Sequence, residues 1–259
     1  HPDPKKRDGI MSLDSSRCGR GSEITTYDSL DHSLCPSKGS TYIAMKSWAS
    51  CLALEKIFRE AGLEKKALEA YGQARRIADT LVAAYAAYGF VPAVLAPPGD
   101  RAVRGLTPRE TKVSVPRTAP RLTVTSRIIP VIEGLIYPRF FGRPETLDFN
   151  GPFGDLLRVL RAHLVSVLKP GVCLFKDGGW KLSSTSDNSW MSKIALNMFI
   201  AEEILGLDLG PAKKKAQAAH GEWQCRPGSA YWAMSDQMVR GLATGSKYYP
   251  RIVTTFLWL

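Results

Sequence analysis

No stretch of the sequence approaches the roughly 18–20 consecutive apolar residues that span a bilayer. His1 to Gly9 is polar and basic and runs into no apolar segment of the kind that directs secretion. The expectation is a cytoplasmic protein without a membrane partner. Cysteine is sparse: Cys18, Cys35, Cys51, Cys173 and Cys225 are odd in number and form no CxxC pair. His1, His32, His163 and His220 form neither HxxxH nor HExxH. A disulfide framework and a zinc site are therefore disfavoured, and the thiols read as those of a reducing compartment. Aromatics are missing from residues 100–127, which are also the most basic part of the chain. The net charge of +11 is local. It gathers at Arg101, Arg104, Arg109, Lys112, Arg117, Arg121 and Arg127, in the tail at Lys5, Lys6 and Arg7, and at Lys213 to Lys215. Nucleic-acid binders interleave such charges with aromatics or set them on a recognition element. A solvated basic loop is the better reading, and no nucleic-acid partner is expected.

What is present is an ordinary globular composition, with 44% hydrophobic and 23% charged residues. Residues 1–22 have no period and read as a tail or linker. Apolar spacing predicts a helix over 41–61, with Met45, Trp48, Leu52, Ile57 and Phe58, and another over about 65–88, with Leu68, Tyr71, Ile77, Leu81, Val82 and Tyr85. Gly62 separates the two, so they form an antiparallel hairpin. Pro92, Pro97, Pro98 and Gly99 open an irregular basic loop at 97–127. Segment 128–136 is short and apolar. Further helices are expected over about 153–168, 190–205, 212–223, 229–240 and 251–259. Val172 to Phe175 suits a short strand or extended edge. Asp187 or Ser189 would cap the helix at 190. The class is all-α.

The most informative segment is Ile24-Thr25-Thr26-Tyr27-Asp28-Ser29-Leu30-Asp31-His32-Ser33-Leu34. It carries two carboxylates just before an apolar helix. Taken alone, the pair suits an N-terminal helix cap better than acid–base chemistry. The segment nevertheless resembles the acid/base segment of glycoside hydrolase family 52, the β-xylosidases. The resemblance continues through Ile129-Pro130-Val131-Ile132-Glu133-Gly134-Leu135-Ile136-Tyr137-Pro138 and Asn150-Gly151-Pro152-Phe153-Gly154-Asp155. It is strongest from Asp177 to Ile194, and it reaches Ser235-Asp236-Gln237 and Ser246-Lys247-Tyr248-Tyr249-Pro250-Arg251. It covers about 24–95 and 128–259. Residues 1–22 and the basic stretch 97–127 depart from the family pattern.

The resemblance implies a portion, residues 23–259, of an (α/α)6 toroid built from helix hairpins, at the C-terminal end of the family's catalytic domain. It implies a retaining exo-β-1,4-xylosidase that releases xylose from xylo-oligosaccharides. Asp28 would be the general acid/base, with Asp31 the runner-up, because the similar β-glucosidases of family 116 carry the acid/base at the Asp of a Thr-Tyr-Asp. Thr26 would face the sugar beside it. Lys181, Asp187 and Trp190 have the composition of a sugar subsite, and Asp236 and Arg251 are further hydroxyl-binding candidates. Core packing is the competing reading for Trp180, Trp190, Trp223 and Trp232. An Asp236–Arg240 surface pair at i, i+4 is an equal alternative for that aspartate. The family's nucleophile is a glutamate upstream of the Asp28 segment, and no segment here resembles it. The expectation is therefore a fragment, inactive alone, whose partners are the xylo-oligosaccharide, the upstream part of the same enzyme and, as a candidate, a second copy of the chain. No metal and no organic cofactor is implied. The alternative is a non-catalytic remnant with a sugar-binding or scaffold role.

Overall fold

A long helical hairpin frames the molecule because two neighbouring segments repeat apolar residues every three or four positions. The computed structural model describes residues 8–11, 39–96, 122–123, 126–230 and 235–245. Helix α1 spans Thr41–Glu60 and α2 spans Glu64–Tyr88. Ser40 accepts from the Ile43 amide as the α1 cap, and Thr41 Oγ1 donates to the Pro92 carbonyl at 2.8 Å. The inner face of α1 buries Ala44, Met45, Trp48, Ala49 and Leu52. The facing stripe of α2 is alanine-rich (Ala67, Ala74, Ala78, Ala84), with Ile77 and Leu81. Small residues let the two backbones approach closely along the pair. The hairpin matches its sequence expectation. Ile57 and Leu68 do not bury as its apolar face predicts: they are exposed near the hairpin tip, with Leu54 and Leu63.

The apolar segment at 128–136 winds as a 3₁₀ helix, Ile129–Ile136, with every residue buried. It packs against α1, α5 and α4. A single-turn helix α3, Tyr137–Phe140, and a 3₁₀ turn at Pro144–Leu147 lead to α4, Gly154–Val167. Helix α5 is Met191–Glu203, α6 is Gly210–Cys225 and α7 is the single turn Pro227–Ala230. The chain is thus mostly helical, as expected. Its strands are short. Strand β1, Leu95–Ala96, pairs antiparallel with β2, Leu122–Thr123. Strands β3, Asn188–Trp190, β4, Gln237–Val239, and β5, Leu242–Gly245, form an antiparallel sheet in that order.

Three expectations are corrected. No helix covers 229–240. The chain makes the single turn α7 and then, after residues outside the described set, the β4–β5 hairpin. Arg240 and Gly241 take positive φ of 53° and 70°, which closes a two-residue turn that a helix cannot contain. Residues 172–175 form a turn with isolated bridges at Leu174, not a strand. The basic stretch is not irregular to its end, because β2 and the Pro92–Arg127 bridge fall within it. The rest of 97–127, the tail 1–22 apart from 8–11, and the helix expected at 251–259 lie outside the described residues.

Two apolar clusters result. The main one joins α1, α2, the Ile129–Ile136 helix, α4 and α5. A smaller one, Ala219, Trp223 and Met238, ties α6 to β4, with Phe175, Met191 and Ala243 packed on it. No described helix is long and apolar enough to cross a membrane.

Candidate functional site

The loop from Asp177 to Trp190 is built on Trp223. Asp177 accepts from the Gly179 amide at 3.0 Å and from the Trp223 indole at 2.8 Å. A side chain at residue 179 would collide with the Trp223 ring, so only glycine lets the turn lie on it. His220 Nε2 accepts from the Trp180 amide at 2.9 Å. Burial pushes the His220 pKa down to about 4, against the pull of Asp177. The ring is therefore neutral, and Nε2 is free of a proton and able to accept. Trp180 and Trp223 are buried, as the core-packing reading holds. Trp232 lies outside the described residues. Ser126, Ser183 and Thr185 hydroxyls close a triangle at 2.8–3.2 Å beneath the loop.

Four of the nominated residues meet here. Lys181 Nζ lies 3.5 Å from Asp187 Oδ1, and Arg240 Nε donates to Asp187 Oδ2 at 2.8 Å. The Arg240 hydrogen bond, ahead of the charge on Lys181, holds the Asp187 carboxyl below its ordinary range. The pairing of β3 with β4 sets Trp190 opposite Gln237, next to Asp236. Asp236 Oδ1 accepts from the Ser192 amide and its carbonyl accepts from the Met191 amide, both at 2.8 Å. Asp236 thus caps α5 from across the sheet, and Trp190, the N-cap residue itself, makes no side-chain cap bond. The cap expected from Asp187 or Ser189 is corrected: Asp187 is paired with Lys181 and Arg240, and Ser189 Oγ donates to the Trp180 carbonyl. The Asp236–Arg240 pair is also corrected, because Arg240 reaches Asp187. Trp190 is half-buried at the edge of this group. Thr26, Asp28, Asp31 and Arg251 lie outside the described residues. Among the described residues, no three His, Cys, Asp or Glu side chains gather as metal ligands.

No protein-family profile matches the chain. The chain is 47% identical, over all 259 residues, to a protein named β-xylosidase from Geobacillus stearothermophilus. This chain is a relative of a β-xylosidase. It spans 33% of that relative's length. A second protein of the same name and organism is 40% identical over 83 residues, which are 31% of this chain and 13% of that protein.

The sequence pattern sets one residue in a different pair and gives no role to another. One is Arg240, whose role depends on the turn at Gly241. The other is Glu133, which pairs with Lys193 between α1 and α5. A single carboxylate inside the apolar run Ile129–Ile136 was the available signal.

Proposed function

We propose that this chain supplies the acid/base side of a retaining β-xylosidase of glycoside hydrolase family 52. The proposed enzyme is an exo-β-1,4-hydrolase that works in the cytoplasm and releases xylose from short xylo-oligosaccharides. The observation that carries the reading is the 47% identity to a β-xylosidase along the whole chain. The helical architecture suits the C-terminal portion of an (α/α)6 toroid. Asp28 protonates the glycosidic oxygen and then, as carboxylate, deprotonates the water that cleaves the xylosyl-enzyme. Thr26 and Arg251 bind sugar hydroxyls, Trp190 offers a ring face, and Lys181 and Asp187 fix the loop that presents it. Asp236 acts through α5. The nucleophile, a glutamate about 5–5.5 Å from the acid/base in retaining enzymes, comes from outside this chain. The chain alone therefore turns over little or no xyloside.

The test is Asp28→Ala in the full-length protein. Hydrolysis of xylobiose, which needs a proton on the leaving oxygen, falls strongly. Hydrolysis of an activated aryl xyloside falls much less, and azide restores its turnover. Equal losses on both substrates without azide rescue move the role to Asp31 or elsewhere.

A further inference from the structure

The two helices of the hairpin differ on the sides they turn away from the core. On α2 the outward positions Lys65, Glu69, Arg76 and Asp79 follow helical spacing and are exposed, the ordinary charged face of a surface helix. On α1 the same spacing runs through Ile43, Ser47, Ser50, Leu54, Ile57 and Ala61, opposite the buried face, and contains no charge. Leu54 is 42% exposed and Ile57 55%. Ser50 turns its hydroxyl back on the Lys46 carbonyl at 3.0 Å, so it presents a small surface with little unmet polarity. Single exposed apolar residues are ordinary on a protein surface. A face that stays free of charge for about five turns is not, in a chain with 23% charged residues.

Resting on the function proposed above, in which the rest of the enzyme lies outside this chain, we propose that an apolar helix of that upstream part packs along this face of α1. The shape of the face selects the occupant. From Ile43 to Ala61 it is roughly 27 Å long and about one helix wide. That fits a helix lying alongside α1, not a loop that touches it at one point. Ser47 and Ser50, at its middle, let a partner backbone come close. The lack of charge argues against a nucleic acid or an anionic lipid surface, which are held by lysine and arginine. Area argues against a second copy of the chain. One helix stripe buries on the order of 300 Å² per partner, against about 800 Å² in a standard interface between separate chains. A segment of the same polypeptide needs less, because its tether keeps it at high local concentration. The chain spans 33% of the relative to which it is 47% identical, so about two thirds of that relative is chain that can supply such a helix.

The test uses the full-length protein with photo-leucine in place of leucine, a side chain of nearly the same shape that gives a carbene in light. Peptides carrying Leu54 are read by mass spectrometry. Mixing isotopically light and heavy protein separates cross-links within one molecule from those between two. The expected result is a cross-link from Leu54 to a peptide upstream of this chain in the same molecule. Water adducts alone mean an uncovered face. Cross-links to a second molecule, or only to residues of this chain, mean another occupant. Each of these overturns the proposal. Ile57→Lys gives a second reading: a lysine forced under a packed helix lowers the thermal midpoint by a few degrees or more, whereas on an open surface it leaves the parent's midpoint and the proposal fails. Where that variant does not fold, the photo-leucine result decides. If Asp28→Ala behaves as described above while Leu54 gives only water adducts, the helix-packing assignment alone fails. If the full-length protein hydrolyses no xyloside, the proposed function falls and the cross-link still decides what covers α1.

Discussion

The α1–α2 hairpin is joined by three residues and held by apolar side chains that recur along the sequence. The segment from Asp177 to Gly245 shares in the two apolar clusters, but its loop and its sheet are tied down by single polar bonds between distant residues: Trp223 to Asp177, Ser192 to Asp236, Arg240 to Asp187. The first arrangement gains its energy from area removed from water, spread over many contacts. The second gains little per bond, but each bond aims one group. A lost contact in the hairpin should therefore appear as lost stability. A lost bond in the loop segment should appear as lost geometry.

The largest expected effect tests the hairpin. Trp48 is fully buried and meets Phe153 edge-on, with ring centres 5.3 Å apart. Among the described residues its indole nitrogen has no hydrogen-bond partner, so its contribution there is volume and area. Trp48→Ala should cost about 3–5 kcal/mol in chemical denaturation. A cost below ~1 kcal/mol would mean that the hairpin is not held as described.

Acid should sharpen the comparison, because each core holds one neutral histidine. His163 accepts from the Val91 amide and donates to the Ile128 carbonyl, in the main core. His220 serves the smaller one. Burial depresses both to about 4. The unfolded chain takes up these protons below about pH 6.5, while the folded chain resists until about 4. The unfolded state therefore binds more protons within that window, and stability falls as pH drops through it, by at most about 3 kcal/mol per ring. Carboxylates held low, such as Asp187 and Glu145, begin to lose their contribution near the bottom of that window and lose most of it below, as pH falls through their depressed values. Thermal melts from pH 7 to 4 measure the fall. His220→Gln, whose amide oxygen accepts the same Trp180 bond, should remove that ring's share. A flat profile between pH 6.5 and 4 would contradict the neutral assignments.

Most of the helical frame is legible in the sequence because period is local. Met45, Trp48 and Leu52, or Leu156, Leu160 and Leu164, declare one face without reference to the rest of the chain. The β4–β5 hairpin is not legible in that way. Residues 235–245 carry no helix breaker before Gly241, and Asp236 and Arg240 fit helical spacing as well as any surface pair. The sheet wins through its partner: Asn188–Trp190 lies some fifty residues upstream and satisfies the β4 backbone. The same holds for the candidate site. Lys181, Asp187, Trp190 and Asp236 are nameable from composition and resemblance. That Asp236 caps α5, and that Arg240 takes Asp187, follows only from the register of β3 on β4. Glu133 shows the reverse case, since a lone charge in an apolar run is visible but its partner on α5 is not.

The smallest expected effect is Arg240→Ala, and it bears most directly on the loop segment. Arg240 is 78% exposed, and its partner Asp187 is 34% exposed. Solvent screens such a pair, so its loss should cost less than ~1 kcal/mol. The backbone bond from the Arg240 amide to the Asp187 carbonyl remains, because alanine keeps the donor. Alanine also inherits the positive φ, so the turn carries the same strain in both proteins. What changes is the Asp187 carboxyl. Its pKa is depressed first by Arg240, so in the variant it should rise toward an ordinary aspartate, leaving Lys181 as its cation. Carboxyl NMR titration reads that rise directly, while the thermal midpoint near neutral pH stays close to the parent's. The pair's small stabilisation is present above the unfolded aspartate's pKa and fades as pH falls through the folded value. The parent and variant melting curves should therefore converge in acid. A stability loss comparable to that of Trp48→Ala would show that the loop segment, like the hairpin, is held by bulk energy and not by aimed bonds.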